Sequence, residues 1–343
     1  MGQSSLWGKV TFTKRPRETL DEIFDREREI GQIRELLERR EWIALLGSRM
    51  SGKTSLAKAV SRSLNARIVY ADLTRVKGLR DVYSRIYTSL PQDVTSRLRE
   101  TLEFLQAGPV SVEFRKPTSS LENLLRSLCD RRTVLILDEV QDVKTGVNHL
   151  IPIFHRLMNS CPNVSLIFTG SSIGLMRTLL EQEGDQPLAG RNPVRIALNP
   201  WDRRTAEEYL DRGLSECGIS YTNEEVEEVL DNLGTLVGWL NFYGVNRCVK
   251  SHQEALRESL EEAIGVSLSE LRNVADTEWK RKALRDLAVG TTWNELLRVS
   301  RVSTETLSKF LNKLDRLYLL TKEGNTYLLQ DPVYRRAVRA GLQ

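Results

Sequence analysis

The chain contains little histidine or cysteine: its 343 residues include three histidines and four cysteines. The histidines, at positions 149, 155 and 252, are scattered, so they give no basis for a Ser/His/Asp or Cys/His catalytic group. The cysteines, at positions 129, 161, 217 and 248, form no C-x-x-C pair, although zinc sites usually contain such pairs. We therefore expect small buried or half-buried thiols, no metal cage and no histidine chemistry.

The chain also lacks a long apolar run. No stretch approaches the ~18–20 apolar residues needed to cross a bilayer, and the first ten residues contain no apolar segment typical of a secretory signal. We therefore expect a cytoplasmic protein with no membrane association. With 40% hydrophobic and 28% charged residues the composition is that of a folded chain, and the length suggests two or three domains.

Positive charge is concentrated at the two ends of the chain. The formal net charge is +4, yet residues 279–343 contain thirteen Lys or Arg against six Asp or Glu, a balance of +7. Residues 1–17 add four basic residues and no acidic one. Such basic segments indicate a polyanionic partner, usually nucleic acid, although an ordinary solvated basic surface gives the same pattern.

Five short apolar segments predict strands that alternate with helices. The segments cover residues 42–47, 66–73, 133–138, 164–170 and 193–198. Strands separated by helix-like sequence favour a parallel sheet in a doubly wound α/β domain. After Pro200 the strand pattern stops, and the following sequence predicts a small helical domain with a capping box at Thr222 and Glu225.

One motif carries most of the chemistry. Residues 47–54 have the sequence GSRMSGKT, which matches G-x-x-x-x-G-K-[ST] between a predicted strand and a predicted helix. In such a loop the backbone N–H groups point at phosphate oxygens, Lys53 reaches the β- and γ-phosphates, and the Thr54 hydroxyl can bind Mg²⁺. The predicted nucleotide-binding residues of this loop are Gly47, Ser48, Arg49, Met50, Ser51, Gly52, Lys53, Thr54 and Ser55.

The strand at 133–138 supplies the acidic group that a phosphate-binding loop requires. It ends at Asp138, whose carboxylate can orient the waters of Mg²⁺. Glu139 follows directly and is the candidate general base for the attacking water. The alternative is that both acids form an ordinary solvated strand end. If both roles hold, the chain hydrolyses ATP with Mg²⁺ as cofactor, and Lys53 takes part in catalysis.

Two further groups are candidates for the reaction. Thr169 and Ser171, at the end of the strand 164–170, can act as sensors that place a hydroxyl at the γ-phosphate or the attacking water. A helix capped by Ser171 or Ser172 explains the same residues. Arg191 can place a guanidinium on the γ-phosphate of its own site or of a neighbouring copy. The alternative for Arg191 is an ordinary surface arginine.

The order of these motifs resembles the archaeal P-loop ATPase family, on the STAND-related side of the AAA+-like ATPases. The resemblance rests on FDRE at 24–27, the P-loop, LILDEVQD at 135–142, IFTGSS at 167–172 and LAGR at 188–191. It implies an α/β P-loop NTPase domain with sheet order 5-1-4-3-2, a helical lid and a C-terminal winged helix. It also implies that Phe24 lies against the adenine and Arg26 near the nucleotide.

The sequence predicts four parts, and it departs from the family in two respects. The parts are a basic N-terminal arm at 1–20, a P-loop ATPase domain at 21–200, a helical lid at 201–270 and a winged helix at 271–343. The lid segment at 234–240, GTLVGWL, lacks the proline of the family motif G-G-x-P-G-x-L. It also lacks an arginine that could serve as a second sensor, and Arg247 is the nearest. We therefore expect weak coupling of the lid to the γ-phosphate and slow turnover.

The predicted helix 303–317 presents a polar and basic face suited to a major groove. Its predicted buried side consists of Leu307, Phe310, Leu311, Leu314 and Leu317. The candidates for contact with double-stranded DNA are Lys309, Asn312, Lys313 and Arg316, with Lys322 on the wing.

A second function is open because winged helices also dock proteins. On that alternative the chain is a nucleotide-dependent signalling switch that acts on a protein partner, and self-association is a further possibility. A monomeric helicase is excluded, because helicase motors need two tandem domains with parallel sheets and no second strand pattern follows Pro200. A ring-forming translocase stays open.

Overall fold

The computed structural model describes residues 11–96, 98, 117–171, 174–181 and 188–342. It divides into two compact units. The α/β unit comprises Arg17–Leu46 and Lys53–Leu198, and the helical unit comprises the residues up to Pro16, Gly47–Gly52 and the residues from Asn199 onward. The prediction of separate domains with boundaries at 200 and 270 stays a prediction.

A parallel sheet of five strands forms the centre of the α/β unit. Its strands are β1 (Ile43–Leu46), β2 (Arg67–Asp72), β3 (Thr133–Asp138), β4 (Val164–Gly170) and β5 (Val194–Ala197). The spatial order is β2-β3-β4-β1-β5, and every neighbouring pair is parallel. This confirms the order 5-1-4-3-2, counted from the opposite edge of the sheet.

Helices cover both faces of this sheet. They are α1 (Glu27–Glu38), α2 (Lys53–Arg62), α3 (Leu79–Thr88), α4 (Pro117–Arg126), α5 (Val147–Ser160) and α6 (Gly174–Leu180), with 3₁₀ turns at Leu20–Glu22 and Val140–Asp142. On one face Ile43 packs in a core with Val60 of α2. On the other, Trp42 lies edge-on against Phe154 of α5. The strands β1, β3 and β4 are buried throughout, and their continuous apolar sequences made them predictable.

The helical unit contains the remaining described helices and a small sheet. The helices are α7 (Arg203–Glu216), α8 (Asn223–Leu233), α9 (Val237–Arg247), α10 (His252–Val274), α11 (Glu278–Leu287), α12 (Trp293–Ser300), α13 (Thr304–Arg316) and α14 (Pro332–Gly341). Strands β6 (Thr291–Thr292), β7 (Leu320–Glu323) and β8 (Thr326–Leu329) form an antiparallel sheet of order β6-β8-β7. Thr222 caps α8 as predicted, since its hydroxyl accepts from the Glu225 N–H at 3.3 Å.

The C-terminal segment follows the predicted sequence of elements. Helices α11, α12 and α13 and the hairpin β7–β8 lie at the expected positions, and the apolar side of α13 is buried as predicted. Strand β6 and helix α14 were not predicted. With two residues, β6 is too short to show a periodic pattern. Within the described residues, no helix is long and apolar enough to traverse a bilayer.

The expectation of four thiols is wrong. Cys129 is bonded to Cys161 in the α/β unit, and Cys217 to Cys248 in the helical unit. The described part of the chain has no free cysteine. The partners are 32 and 31 residues apart in sequence, while their Cα atoms are 5.2 and 5.6 Å apart. Pairing depends on this spatial proximity, which the spacing of cysteines in a sequence does not reveal.

The predicted N-terminal arm lies only partly within the described residues, because residues 1–10 fall outside them. Residues 11–16 pack on helices of the helical unit. The Phe12 ring is buried and lies edge-on to Tyr209 of α7, with ring centroids 5.6 Å apart. The Thr13 N–H donates to the Asn241 side chain at 3.0 Å, and Lys14 forms an ion pair with Glu262.

Candidate active site

The carboxyl ends of β1, β4 and β3 lie side by side in the α/β unit. Leu46 pairs with Gly170, and Leu137 pairs with Phe168. Asp138, at the carboxyl end of β3, therefore lies at the same end of the sheet as the carboxyl end of β1. Ligands of open α/β sheets bind outside the carboxyl ends of the strands.

Helix α2 brings the end of the P-loop motif to this acid. Lys53 is its first residue and is 6% exposed. The Thr54 hydroxyl lies 2.9 Å from one carboxylate oxygen of Asp138 and 3.1 Å from the other. The structure thus joins the two residues that the sequence assigned to a metal, although they are 84 positions apart.

Asp138 is held by two further hydroxyl groups. The Tyr70 phenol on β2 donates to its carboxylate at 2.7 Å, and the Thr169 hydroxyl on β4 donates to it as well. Asp138 is 4% exposed, so these hydrogen bonds replace the water that a carboxylate loses on burial. Tyr70 was not predicted as a site residue, because a tyrosine in an alternating strand pattern is typical of a core position.

The surroundings of Tyr70 keep its hydroxyl protonated. Burial, and then the negative charge of Asp138, raise the pKa of Tyr70 far above its ordinary value. The Lys58 ammonium lies 3.8 Å from the centroid of the Tyr70 ring, a cation–π contact. Tyr70 therefore remains a hydrogen-bond donor to Asp138 at every physiological pH.

Glu139 follows Asp138 in a left-handed conformation, with φ 56° and ψ 42°. Its N–H donates to the Thr169 hydroxyl at 3.3 Å, and its carboxylate accepts from the side-chain amide of Gln141. Thr169 therefore binds Asp138 and the Glu139 backbone together, and its contact with a γ-phosphate stays a prediction. Ser171 is buried, while Ser172 lies outside the described residues.

The rest of the P-loop belongs to the helical unit. Gly47 and Gly52 have φ values of 153° and 92°, and the Ser51 N–H donates to the Ser48 carbonyl at 3.4 Å. The Ser51 hydroxyl is buried and has no hydrogen-bond partner in the described part of the chain. A buried hydroxyl without a protein partner fits a loop that binds polar oxygens of a ligand.

Helix α9 begins directly on this loop. The Gly238 N–H donates to the Met50 carbonyl at 3.0 Å. A Cβ at position 238 would lie 2.6 Å from the Met50 Cβ, so glycine is required for this approach. Arg247 stands at the opposite end of α9, which is about 15 Å long, and donates to the carbonyls of Lys250 and Ser220. The lid segment therefore touches the loop through backbone, and Arg247 does not reach it.

Three predicted nucleotide contacts are placed beside these elements. The Ser55 hydroxyl accepts from the Arg17 N–H at 3.1 Å. Phe24 is buried. Arg26 directly precedes α1 and forms an ion pair at 3.4 Å with Glu29 in the first turn of that helix. The contacts of Phe24 and Arg26 with a nucleotide stay predictions.

The structure does not bring Arg191 to Asp138. Arg191 precedes β5 and donates to the Asn159 side chain, which precedes β4. Both residues lie where strands begin, whereas Asp138 lies where β3 ends. The strands contain four to seven residues, so the two ends of the strands are roughly 13–23 Å apart. A contact with the γ-phosphate of its own site is therefore not supported, and action on a neighbouring copy stays a prediction.

The oxygen atoms of Thr54 and Asp138 fit as ligands of a magnesium ion that is bound together with a nucleotide. Within the described residues there is no group of three or more His, Cys, Asp or Glu suited to a metal. Magnesium at a nucleotide needs only one or two protein ligands, because phosphates and waters provide the others. The Thr54 hydroxyl beside the Asp138 carboxylate is such a pair.

The candidate DNA contacts lie on α13 and β7. Lys309 is exposed and pairs with Glu305 at 2.5 Å, and Asn312 is exposed. Lys313 and Arg316 are half-buried on the same helix. Lys322 is exposed, and its ammonium lies 5.1 Å from the centroid of the Tyr327 ring.

A family model described as an ATPase domain predominantly from Archaea matches residues 23–241. The match includes the P-loop, Asp138, Glu139 and the start of α9. The chain belongs to this ATPase family. It is therefore a nucleotide-binding ATPase, as the sequence predicted. No curated protein sequence matches the chain.

Solved structures resemble the chain over nearly its whole length. The Walker-type ATPase PABY2304 of Pyrococcus abyssi is 26% identical, with a TM-score of 0.78, and the match covers 96% of this chain and 99% of that one. The ORC2 protein of Aeropyrum pernix, solved as ADPNP–ADP complexes, is 13% identical, with a TM-score of 0.63 and coverage of 96% and 97%. The likeness to ORC2 shows a shared fold.

Proposed function

We propose that this ATPase uses Mg²⁺, hydrolyses ATP through Glu139, and binds double-stranded DNA through its C-terminal segment. The observation that carries the first part is the contact of Thr54 with Asp138. It joins the first turn of α2, which follows the phosphate loop, to the acid at the end of β3. A phosphate loop and an adjacent acid are the parts that phosphoryl transfer requires.

Each residue has a distinct role in the proposed reaction. Lys53 and the N–H groups of the P-loop bind the β- and γ-phosphates. Thr54 and Asp138 would hold Mg²⁺, which would neutralise phosphate charge. Glu139 accepts a proton from water while the water oxygen bonds to the γ-phosphorus and ADP leaves. Because no arginine of α9 stands at the loop, we propose that turnover is slow.

Two substitutions test these roles. Lys53→Ala should weaken ATP binding strongly, since it removes the cation that meets the phosphates. Glu139→Gln should retain ATP affinity and lose turnover, because an amide cannot accept the proton. Equilibrium binding of a fluorescent ATP analogue and release of inorganic phosphate measure the two effects separately. Unchanged turnover in Glu139→Gln would contradict the assignment of the base.

The second part of the proposal concerns α11–α13 and the sheet β6-β8-β7, which we interpret as a winged helix. The order of these elements, three helices followed by a hairpin, supports this interpretation. This segment also carries the excess positive charge of the chain. In winged helices of this kind the last helix enters the major groove. We assign Asn312, Lys313 and Arg316 to the groove or its phosphates and Lys322 to the backbone.

Duplex binding at a series of salt concentrations tests the DNA proposal. Log affinity should fall linearly with log salt concentration, and Lys313→Ala or Lys322→Ala should each reduce the slope by about 1. Lys282→Ala is the matched control, because Lys282 lies on α11 and is paired with Glu278. Absence of duplex binding at low salt would overturn the proposal.

One observation favours the alternative of a protein partner. The Lys309 ammonium is paired with Glu305, so that part of the α13 surface has no net charge. An exposed pair of this kind contributes only about 0–1 kcal/mol and is readily opened by a phosphate. We therefore keep DNA as the proposed partner, with a protein partner as the result expected if no duplex binds.

A further inference from the structure

We propose that Gln141 is a positioning residue for ATP hydrolysis, which holds the carboxylate of Glu139 for its reaction with water. This inference rests on the proposed role of Glu139 as the general base. Gln141 is the last residue of the DEVQ segment. The proposed function gives roles to the two acids of this segment, Asp138 and Glu139, and none to Gln141.

The contact between the two side chains is directional. The Gln141 amide nitrogen donates to a carboxylate oxygen of Glu139. A carboxylate can only accept, so the amide nitrogen must face Glu139 and the amide oxygen must face away. The 3₁₀ turn that carries Gln141 is itself fixed, since Asp142 accepts from the Arg75 N–H at 2.8 Å and its own N–H donates to the Glu139 carbonyl at 3.0 Å.

The backbone of Gly170 provides the space in which this amide lies. A Cβ at position 170 would be 1.9 Å from the Gln141 amide oxygen and 3.0 Å from its Cδ. Gly170 also has a φ of +148°, which side chains disfavour. The glycine at the end of β4 therefore admits the amide, and any side chain there would displace it.

The Gln141 amide oxygen is buried and has no hydrogen-bond partner in the described part of the structure. An unpaired buried acceptor is destabilising, and such groups are commonly retained for function. Asp138 is held by three hydroxyl groups, and the Glu139 carboxylate accepts from the amide of Gln141. The Gln141 amide thus orients the base, and a well-oriented base is worth a large factor in rate.

Two substitutions of Gln141 separate positioning from packing. Gln141→Ala removes the amide, and Gln141→Glu keeps its shape while replacing the donor with an acceptor. Both should lower kcat by about tenfold or more, with KM and the affinity for a fluorescent ATP analogue within about twofold of wild type. A kcat close to wild type in Gln141→Glu would overturn the proposal, because this variant keeps the shape of the side chain and lacks the donor to Glu139.

Gly170→Ala tests the same geometry from the other side. It should lower kcat as Gln141→Ala does, and the double variant should be no slower than Gly170→Ala alone, because both changes remove one contact. Gly190→Ala is the matched control: Gly190 also has a positive φ, +72°, but a Cβ there would meet no atom within 4 Å. Equal losses in both alanine variants would assign the effect to backbone strain and contradict the proposal.

The reference variant Glu139→Gln distinguishes a failure of the proposed role of Glu139 from a failure of the proposed role of Gln141. If it retains turnover, the proposed role of Glu139 fails. If it loses turnover while Gln141→Ala and Gln141→Glu keep or raise kcat, only the role of Gln141 fails. Thermal midpoints and ATP affinity, measured for every variant, identify losses that come from misfolding.

Discussion

The Tyr70 hydroxyl donates a 2.7 Å hydrogen bond to the carboxylate of Asp138, across the boundary between β2 and β3. Strand β2 lies at the edge of the sheet and is separated from β1 by β3 and β4. Tyr70 thus links the edge strand to the acid that faces the P-loop helix. The raised pKa of Tyr70 means that this donor does not ionise beside the carboxylate.

Tyr70→Phe should destabilise the protein by about 1.5–3 kcal/mol, the range for a hydrogen bond to a charged group. The ring and its contact with Lys58 remain, so packing is preserved. Unfolding by urea measures the change. Tyr83→Phe is the control, since among the described residues the Tyr83 hydroxyl has no recorded hydrogen bond. Equal stability changes in the two variants would show that the bond to Asp138 contributes nothing.

The parts of the site that a short segment defines were predictable from the sequence. The P-loop and Asp138–Glu139 are local patterns, and continuous apolar strands place them at the same edge of a parallel sheet. Tyr70 could not be identified, because its role depends on the pairing of β2 with β3 and on the length of its side chain. Gln141 was visible as part of DEVQ, but its contact needs the space above Gly170.

Residues outside such patterns were predicted less well. Arg191 was considered for the γ-phosphate because it is the last residue of the family-like LAGR segment. It lies before β5, at the opposite end of the strands from Asp138, and its role at its own site or at that of a neighbouring copy stays a prediction. The disulfides were missed, because the expectation of thiols rested only on the absence of C-x-x-C pairs. Whether Cys129 meets Cys161 depends on how α4 and α5 pack, which sequence spacing does not encode.

The Phe12 ring fills a slot between two glycines of the helical unit. A Cβ at Gly213 of α7 would lie 2.1 Å from the ring, and a Cβ at Gly244 of α9 would lie 2.2 Å from it. Gly213→Ala should therefore displace Phe12 and destabilise the protein by about 1–3 kcal/mol. Urea unfolding of purified variants measures the change.

A double-mutant comparison identifies the cause of that loss. With Phe12→Ala already present, Gly213→Ala should become neutral or stabilising by up to about 1 kcal/mol, because alanine favours a helix over glycine. Gly265→Ala in α10 is the control, since a Cβ there meets nothing within 4 Å. The slot explanation would be refuted if Gly213→Ala cost the same with and without Phe12.

The disulfide Cys217–Cys248 joins the carboxyl ends of α7 and α9, where each cysteine caps its helix. Its loss should lower the free energy of unfolding by about 2–4 kcal/mol, because a closed loop restricts the unfolded chain. Urea unfolding with and without a thiol reductant measures this. The variant with serine at both positions should lose the response that this bridge contributes. A response of unchanged size in that variant would assign the whole effect to Cys129–Cys161.

Asp331 combines a structural role with an unusual ionisation. Its carboxylate accepts from the Val333 N–H at 2.7 Å, which caps α14, and from the Trp239 indole of α9 at 3.1 Å. Burial raises the pKa of Asp331 to about 7, while these hydrogen bonds act in the opposite direction. In the unfolded chain the same carboxyl ionises near pH 4, so the folded protein binds the proton more tightly than the unfolded chain does.

This difference predicts how stability depends on pH. Between about pH 4 and pH 7 the unfolded chain has lost the proton and the folded chain retains it, so the contribution of Asp331 falls as pH rises, by at most about 1.4 kcal/mol per pH unit. The difference in unfolding free energy between wild type and Asp331→Asn should therefore decrease from pH 5 to pH 7 and level off above it. Asp202→Asn is the control, because Asp202 also caps a helix but its pKa is lowered by hydrogen bonds from Thr205. That carboxylate is ionised in both states throughout this window, so its difference should stay flat, and a matching decrease there would show that the titration belongs to another group.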